Sequence, residues 1–551
     1  MRVVVIVDGT SVSRFQLDAL NALNGCTEID VLSCTNGRSR RSLRRHWLYY
    51  LLNLVSIKNR MTRGVPLSAA TPKIGTMLEF ESDYDGAWQS FPKHVVDWLR
   101  DRRPDVILKF GMGLLRVPGP DALPAPILSY HHGDPEHYRG RPAGFYEILN
   151  DAPVLGQMIQ VLSNRLDAGR VVAFAETTVR PHSYKATLVE AYSASPLLLD
   201  KAVKNAIAGA YLPKDPAGRN YRLPSNGLVL RFLIRMLLRK IERLAYGAFL
   251  EKGWQVSLAR FDEDRLDRLV ASDFPAHGSW RTLPIAKGYR FYADPFFSID
   301  PPGILVEALR GSTGRADLLL WNEGRAETVL ADRGHVSYPF TFLHEGKQMV
   351  LPEICEWSEP RLYTDQGGKL VDVGGLRIAG GARLIDPTLL RHEGRFYLFA
   401  NDLAEGPGVL RLWHAARLTD EFEPHPASPI RISPEGSRMG GALFENPAGL
   451  FRWGQRNARQ YGNGLHLFRI DRLDPTTFEE SRVGELRLEG RFGPHTLNAS
   501  GGELLFDWYY HRFSVLAGVR RLIARPRPNE IASDAGAAPL SSPAQANRPD
   551  R

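Results

Sequence analysis

The sequence predicts an α/β domain followed by an all-β five-bladed propeller, with a disordered C-terminal tail. Two observations support this fold class. Short apolar runs alternate with helical patterns over the first 200 residues, and a two-strand template recurs five times after residue 280. The predicted segments are the α/β domain at 1–200, a basic helical linker at 201–280, the propeller at 281–522 and the tail at 523–551.

Composition excludes several classes of protein. Hydrophobic residues make up 43% and charged residues 24% of the 551 residues, as in globular proteins. A net charge of +9 is small for this length and indicates no nucleic-acid partner. Cys26, Cys34 and Cys355 form no Cys-x-x-Cys pair, so we expect neither a disulfide framework nor a metal site. The N-terminal apolar run is too short for a signal sequence, which favours a cytoplasmic protein.

The first domain shows strand–helix alternation. Continuous aliphatic runs occur at 2–9, 28–35, 105–111 and 125–131, with helical stretches such as 93–103 between them. This order is typical of a mostly parallel sheet that is covered on both faces. Such sheets bind ligands at the C-terminal ends of their strands. His131 ends the run at 125–131, so we expect it to lie where a ligand would bind.

The most specific passage is LSYHHGDPEHYRGRPAGFYEILND at 128–151, followed by LDAGRVV at 166–172. It resembles the core of folate-dependent formyltransferases, whose motif reads Asn-x-His-x-Gly, then Tyr-Arg-Gly, and later Leu-Asp-x-Gly. The resemblance covers about residues 1–200. It implies a Rossmann-like domain that uses 10-formyltetrahydrofolate as formyl donor.

The resemblance also assigns roles to individual residues. It implies catalytic roles for His131, Asp167 and Ser129. It implies a folate site at Phe110, Gly111, Met112, Gly113, Leu114, Gly133 and Gly140. The chemistry agrees, since an imidazole transfers protons near neutral pH and a carboxylate beside it orients the ring and stabilises imidazolium.

Ser129 departs from the family motif, which has asparagine at this position. A serine hydroxyl is shorter but still donates one hydrogen bond, and losing an oxyanion donor costs about 10²–10³ in rate. Three interpretations remain open. The acceptor chemistry is altered, or His131 and a backbone N–H hold the oxyanion, or the domain is not catalytic.

Residues 228–250 predict a basic amphipathic helix. Four arginines repeat every four residues at 231, 235, 239 and 243, and leucine and isoleucine side chains form the opposite face. One interpretation is a linker helix whose apolar face packs on a domain. The other is peripheral contact with the inner face of a membrane through anionic lipid. The segment 38–55 has the same basic and apolar character.

The predicted propeller depends on a repeat. Equivalent strand positions at Leu305, Val350, Tyr397, Phe451 and Leu505 lie 45, 47, 54 and 54 residues apart, which is typical of four-stranded blades. Polar residues recur at equivalent positions, and we expect them to surround one sugar-binding pocket. These candidates are Asp294, Glu307, Glu353, Asp386, Asn401 and Gln455.

This half resembles the propellers of furanosidase-type glycoside hydrolases. It is closer to the N-terminal propeller of glucosamine inositolphosphorylceramide transferases, through GGALFENPAGLFRWGQ and YGNGLHLFRIDRL. The hydrolase resemblance implies Asp294, Asp386 and Glu435 as counterparts of catalytic carboxylates. Glycan binding, hydrolysis and a structural role all remain open.

Two hypotheses of function follow. In the first, the chain moves a formyl group from 10-formyltetrahydrofolate to an amine, an amino sugar of a surface glycan or glycolipid, and the propeller recognises the carbohydrate. In the second, the propeller binds or cleaves a glycan and the formyltransferase domain is catalytically degenerate.

Overall fold

The computed structural model describes residues 1–37, 43–119, 122–311, 313–331, 333–354, 356–357 and 359–523. Cys355, the start of the basic segment at 38–55 and all but the first residue of the predicted tail lie outside these residues. The chain divides into two compact units, Met1–Arg243 and Leu244–Arg551. Within the described ranges, every helix is too short or too polar to span a bilayer.

The first unit is built on a seven-stranded sheet, so the predicted α/β fold is confirmed. Its strands lie in the order Arg170–Thr178, Val154–Val161, Ile127–His131, Val106–Lys109, Val3–Asp8, Glu28–Cys34 and Lys73–Phe80. The last five strands are mutually parallel, and the first two join antiparallel. The central strands are almost wholly buried, which explains their continuous apolar sequences.

Helices cover this sheet. They are Arg14–Asn21, Leu43–Leu52, Lys93–Arg102, Phe145–Leu149, Tyr184–Ala194, Pro196–Ala208 and Asn226–Phe249, with a π-helical turn at Asn53–Ile57. Their ends follow local rules. The Ser183 side chain accepts a hydrogen bond from the N–H of Ala186, and Pro196 begins a helix that ends at left-handed Gly209. Short strands complete the unit at Ser11–Ser13, Gly64–Pro66, Asp83–Asp85, Trp88–Ser90, Leu114–Leu115, Tyr138–Gly140 and Arg219–Tyr221.

We expect one buried carboxyl group, that of Glu147, to make the stability of this unit depend on pH. Glu147 is 2% exposed, and burial raises its pKa to about 8. In the unfolded chain the pKa of a glutamate is about 4.3. Between this pKa and that of the folded state, the folded protein binds one more proton than the unfolded chain, so its stability falls as pH rises through this range. We expect Glu147→Gln to flatten the pH dependence of the melting temperature between pH 5 and 9. The exposed control Glu81→Gln should follow the wild type, and equal slopes in all three proteins would contradict this account.

The second unit consists of five antiparallel sheets, so the predicted β-rich C-terminal region is confirmed. The first sheet contains Tyr289–Ile299, Pro302–Arg310, Ala316–Asn322 and Arg325–Leu330; the second contains Ser337–His344, Lys347–Glu353, Arg361–Asp365 and Leu370–Gly375. The third contains Leu384–His392, Arg395–Asp402, Val409–Ala415, Glu423–Pro424 and Arg431–Ile432; the fourth contains Glu435–Met439, Phe444–Asn446, Gly449–Arg456, Leu465–Leu473 and Phe478–Leu486. The fifth contains Arg281–Thr282, Leu250–Arg260, Glu503–Phe513 and Leu497–Ser500, and a helix follows at Ala517–Ile523.

The fifth sheet joins both ends of this unit. Leu250–Arg260, which the sequence places in the linker, pairs with Glu503–Phe513 over eleven residues. Consecutive sheets contact each other through their first strands, and Glu503–Phe513 contacts Tyr289–Ile299 of the first sheet. The first sheet therefore contacts the second, the second contacts the third, and the third contacts the fourth. The fifth sheet contacts the first.

The first three sheets share one irregularity. Asp294, Tyr338 and Asp386 have φ values of +46°, +44° and +48°, and each precedes a proline. The register with the neighbouring strand shifts at each of these points. A bulge of this kind redirects side chains, and positive φ is uncommon outside glycine. These three positions are therefore structurally equivalent, and they include Asp294 and Asp386, two of the recurring polar residues of the repeat.

Candidate active site

Three neighbouring parallel strands bring polar side chains to one edge of the first sheet. Asp8, Lys109 and His131 are the last residues of Val3–Asp8, Val106–Lys109 and Ile127–His131. Lys109 lies beside Ser129 in the strand register. Since side chains alternate along a strand, Ser129 and His131 share a face. This edge is where open α/β sheets bind ligands.

The structure brings His131 and Asp167 together. Nδ1 of His131 lies 3.5 Å from Oδ1 of Asp167, and Nε2 lies 3.1 Å from the carbonyl oxygen of Tyr138. The His131 side chain is 8% exposed and that of Asp167 is 16% exposed. Each ring nitrogen thus faces an oxygen acceptor, an arrangement that can hold an imidazolium formed during proton transfer.

The Tyr138-Arg139-Gly140 motif fixes the position of Asp167. The N–H of Gly140 donates to Oδ2 of Asp167 at 2.9 Å, and Nη2 of Arg139 donates to the carbonyl oxygen of Leu166 at 2.6 Å. Gly140 has φ +86°, and a Cβ there would lie 2.1 Å from the carbonyl oxygen of Tyr221. Only glycine fits, so the motif holds the turn that carries the carboxylate.

Gly133 lies directly against the histidine. A Cβ at this position would lie 2.6 Å from Nε2 of His131 and 2.4 Å from the carbonyl oxygen of Tyr138. The glycine therefore allows the loop after the strand to fold back over the ring. Gly133 and Gly140 thus shape the surroundings of the histidine–aspartate pair.

The predicted donor loop packs on the strand Val3–Asp8. The N–H groups of Phe110 and Gly111 both donate to the carbonyl oxygen of Ile6, and that of Met112 donates to Oδ1 of Asp8 at 2.8 Å. A Cβ on Gly111 would lie 2.5 Å from the backbone nitrogen of Asp8. The loop continues through Gly113 to Leu114, which pairs with Trp88.

An open cavity of about 260 Å³ lies beside this loop. Its lining includes the polar residues Asp8, Ser11, Ser13 and Gln16 and also Phe110. Hydroxyl, amide and carboxylate groups of this kind can bind sugar hydroxyl or amino groups. The sequence did not identify this cavity, because its residues come from segments about 100 positions apart.

Lys109 is a candidate that the motifs missed. Burial lowers its pKa to about 8, while the nearby carboxylates of Asp8 and Asp167 act in the opposite direction. Among the described residues no hydrogen-bond or ion-pair partner is found for its ammonium group. A cation beside Ser129 can stabilise an oxyanion. The only signal in the sequence is a lysine that ends an otherwise apolar run.

The neighbouring histidine has a different role. Nε2 of His132 lies 2.9 Å from Oγ of Ser195, and burial lowers the pKa of His132 to about 3. The hydroxyl group of Tyr130 donates a hydrogen bond to the backbone carbonyl oxygen of Ser195. His132 is therefore a neutral, hydrogen-bonded structural residue, and of this pair His131 lies beside Asp167.

In the second unit, three of the predicted sugar-binding residues, Asp386, Gln455 and Glu353, form one buried network with Arg438. Nε and Nη2 of Arg438 donate to Asp386 at 2.7 and 2.9 Å. Gln455 donates to Asp386 at 2.9 Å, and the N–H of Asp386 donates to Glu353 at 3.0 Å. All four residues are buried, so in this conformation their polar groups bind one another.

Asp294 belongs to a neighbouring buried network. It accepts a hydrogen bond from the hydroxyl group of Thr496 at 2.5 Å. Asp294, His495 and Asp507 offer ligand atoms within 4.8 Å of one another. Burial raises the pKa of Asp294. Burial alone would lower the pKa of His495, but the carboxylates of Asp507 and Asp294 outweigh this effect and raise the pKa of His495 to about 9. Asp507 already accepts the N–H groups of His495 and Thr496, so the cluster is an internally bonded network.

The remaining predicted residues have other partners. Asn401 donates to the carbonyl oxygen of Val409 at 2.6 Å. Oε1 of Glu307 lies 3.4 Å from Nε2 of His335. Glu435 lies 2.6 Å from His466, and the structure records no contact between Glu435 and Asp294 or Asp386 among the described residues.

Comparisons with known proteins include a family match that lies within the second unit. Residues 321–498 match the family model described as glucosamine inositolphosphorylceramide transferase 1, N-terminal. The protein of that name from Oryza sativa subsp. japonica is 28% identical over 219 residues, covering 36% of this chain and 29% of the relative. The Arabidopsis thaliana protein is 28% identical over 213 residues, with 35% and 27% covered. The chain thus spans under a third of the length of these curated relatives.

Solved structures similar to this chain include formyltransferases. Glycinamide ribonucleotide transformylase 1 from Symbiobacterium toebii is 15% identical, with a TM-score of 0.26, and the match covers 38% of this chain and 88% of that one. The N-formyltransferase from Helicobacter canadensis, in complex with folinic acid and dTDP-3-aminofucose, is 12% identical, with a TM-score of 0.25 and coverage of 44% and 81%.

Proposed function

We propose that the first unit transfers a formyl group from 10-formyltetrahydrofolate to the amine of a sugar. The observation that supports this most strongly is the His131–Asp167 pair, held by the Tyr-Arg-Gly turn at the C-terminal edge of a parallel sheet. The formyltransferase motif and the pair's geometry coincide at the same residues.

The residues divide the chemistry between them. An amine attacks the formyl carbon and forms a tetrahedral intermediate, so a proton must leave the attacking nitrogen and reach the leaving nitrogen. His131 accepts and returns this proton, while Asp167 orients the ring and balances its charge. The Ser129 hydroxyl and the Lys109 ammonium stabilise the negative oxygen. The loop at 110–114, packed on Asp8, fits the role of donor site because it borders this edge.

Two features support a carbohydrate acceptor. The polar cavity lined by Asp8, Ser11 and Ser13 borders the donor loop. The second unit resembles part of enzymes named for a glucosamine-containing glycolipid. We propose that its five sheets form a five-bladed propeller that recognises the carbohydrate, on the basis of the strand equivalences and the contacts of the fifth sheet with the first.

A direct assay tests the proposal. The full chain is incubated with 10-formyltetrahydrofolate and a panel of amino sugars in free, nucleotide-linked and lipid-linked form. Mass spectrometry should detect a product heavier by one formyl group. Binding of 5-formyltetrahydrofolate without product from any amine would contradict formyl transfer to these acceptors. It would favour the second hypothesis, a glycan-binding protein with a degenerate first unit, to which Ser129 points.

Lys109 gives a prediction of its own. Lys109→Met should lower kcat by about 10²–10³ with little change in the KM of the donor, because the ammonium acts on the developing oxyanion. A pKa of about 8 means that the cation is lost as pH rises through that value. Wild-type kcat should therefore fall above pH 8, and the pH profile of the Met variant should lack this step. The conservative Lys109→Arg should retain part of the activity, whereas full activity in Lys109→Met would exclude this role.

A further inference from the structure

The helix Asn226–Phe249 presents part of its apolar face to solvent. Arg235 donates to the carbonyl oxygen of Leu149, and Arg239 donates to Asp151 at 3.1 Å. Val229 and Phe232 are buried, and Leu228, Leu233 and Met236 are partly buried against the same core. Part of the apolar surface of the helix therefore packs on the first unit, whereas Ile234, Leu237 and Ile241 remain more than half exposed.

A second helical segment adds exposed apolar side chains nearby. The N–H of Leu48 donates to Oδ1 of Asn226 at 3.2 Å, and Tyr49 shares a core with Val229 and Phe232. Each of the following side chains is more than half exposed: Trp47, Leu51, Val55, Ile234, Leu237 and Ile241. We name these six residues the apolar patch. The six residues lie on two helical segments that share one core, and large exposed apolar surfaces on soluble proteins often mark interaction sites.

The charges around the apolar patch are mostly positive, and the exposed acidic side chain next to it, Glu242, pairs with Arg239. Residues 43–57 and 226–241 contain no aspartate or glutamate. Arg44, Arg45, Arg231 and Lys240 are exposed. A second copy of the chain would bring these cations against one another, which opposes association. An anionic surface would instead be attracted, at about 1 kcal/mol for each basic residue near it.

We propose that the apolar patch docks on the surface of a membrane that contains anionic lipids. Its large apolar side chains enter the boundary between headgroups and acyl chains, and the surrounding arginine and lysine side chains contact the headgroups. Such shallow insertion requires no membrane-spanning helix. The inference is independent of the proposed formyl transfer, because it depends on residues outside the candidate active site.

Vesicle co-sedimentation with the full chain tests this proposal. The protein should sediment with vesicles of mixed phosphatidylcholine and phosphatidylglycerol, bind phosphatidylcholine alone at least tenfold more weakly, and dissociate as salt increases. The double variant Leu237→Ser, Ile241→Ser should lose binding at least tenfold. The matched control Ile299→Ser, Leu343→Ser removes equally exposed side chains from the second unit and should bind as the wild type does.

Three outcomes would overturn the proposal. They are a wild type that binds no vesicles, binding that is equal on neutral and anionic vesicles, and a double variant that binds normally. Sedimentation velocity without lipid tests the alternative, in which a second copy of the chain covers the apolar patch. A wild-type dimer that the double variant converts to monomer, together with absent vesicle binding, would identify the apolar patch as an interface between copies of the chain. Since the substituted side chains are exposed, circular dichroism of the variants should match the wild type.

Discussion

Replacing His131 with glutamine should lower the rate of formyl transfer by about 10²–10⁴, the usual contribution of a general acid–base group. Glutamine keeps a hydrogen-bond donor near the Tyr138 carbonyl oxygen but cannot carry a proton between two nitrogens. Asp167→Asn should cause a loss of similar size, because an amide does not stabilise imidazolium. Its oxygen can still accept the N–H of Gly140, so the turn should remain folded.

Single-turnover assays of N-formyl product measure both effects. Binding of 5-formyltetrahydrofolate, followed by calorimetry, should change little in either variant, which separates chemistry from folding and donor binding. His137→Gln is the matched control, because His137 lies on the same loop with a side chain 68% exposed. Unchanged turnover in His131→Gln would remove this residue from the mechanism, whatever the acceptor proves to be.

Arg438→Met should destabilise the second unit by about 3–5 kcal/mol, the usual cost of removing one partner from a buried ion pair. The arginine provides two charge-assisted hydrogen bonds to Asp386. Its Nη2 atom also lies 4.0 Å from Oε2 of Glu353. Without the guanidinium, two carboxyl groups would remain buried with no cation. The variant should then recover stability as pH falls and these groups become protonated.

Chemical denaturation followed by tryptophan fluorescence measures the loss. Arg417→Met is the control, since Arg417 pairs with Asp420 at the surface and such pairs contribute little. A midpoint for Arg438→Met equal to that of the wild type would show that the buried network is not needed for folding. It would leave Asp386 and Glu353 as candidates for ligand binding instead.

Local patterns predicted much of the first unit. The apolar runs at 2–9 and 28–35 match Val3–Asp8 and Glu28–Cys34, because a buried parallel strand needs a continuous apolar sequence. The His131–Asp167 pair followed from a motif whose glycines are required by close backbone contacts. Lys109 was missed, since its importance arises from neighbours on other strands and a lone lysine after an apolar run has no periodic signal.

In the second unit the repeat predicted equivalent positions but not their partners. Asp294 and Asp386 share a bulge and a positive φ, yet one binds Thr496 and the other binds Arg438. These partners lie 202 and 52 residues away in sequence, beyond the range of local patterns. Likewise, the amphipathic helix was evident from the spacing of its arginines, but the face that is covered depends on distant partners, among them Phe145, which stacks on Phe232, and the carboxylate of Asp151.

The pairing of Leu250–Arg260 with Glu503–Phe513 determines where the chain can be cut. A fragment that begins at the first repeat would leave eleven residues of Glu503–Phe513 with unpaired backbone groups along one edge. Exposed edges of this kind recruit other strands, so the fragment should aggregate on expression. A soluble C-terminal fragment must therefore begin before Leu250, well ahead of residue 321, where the match to the family model starts.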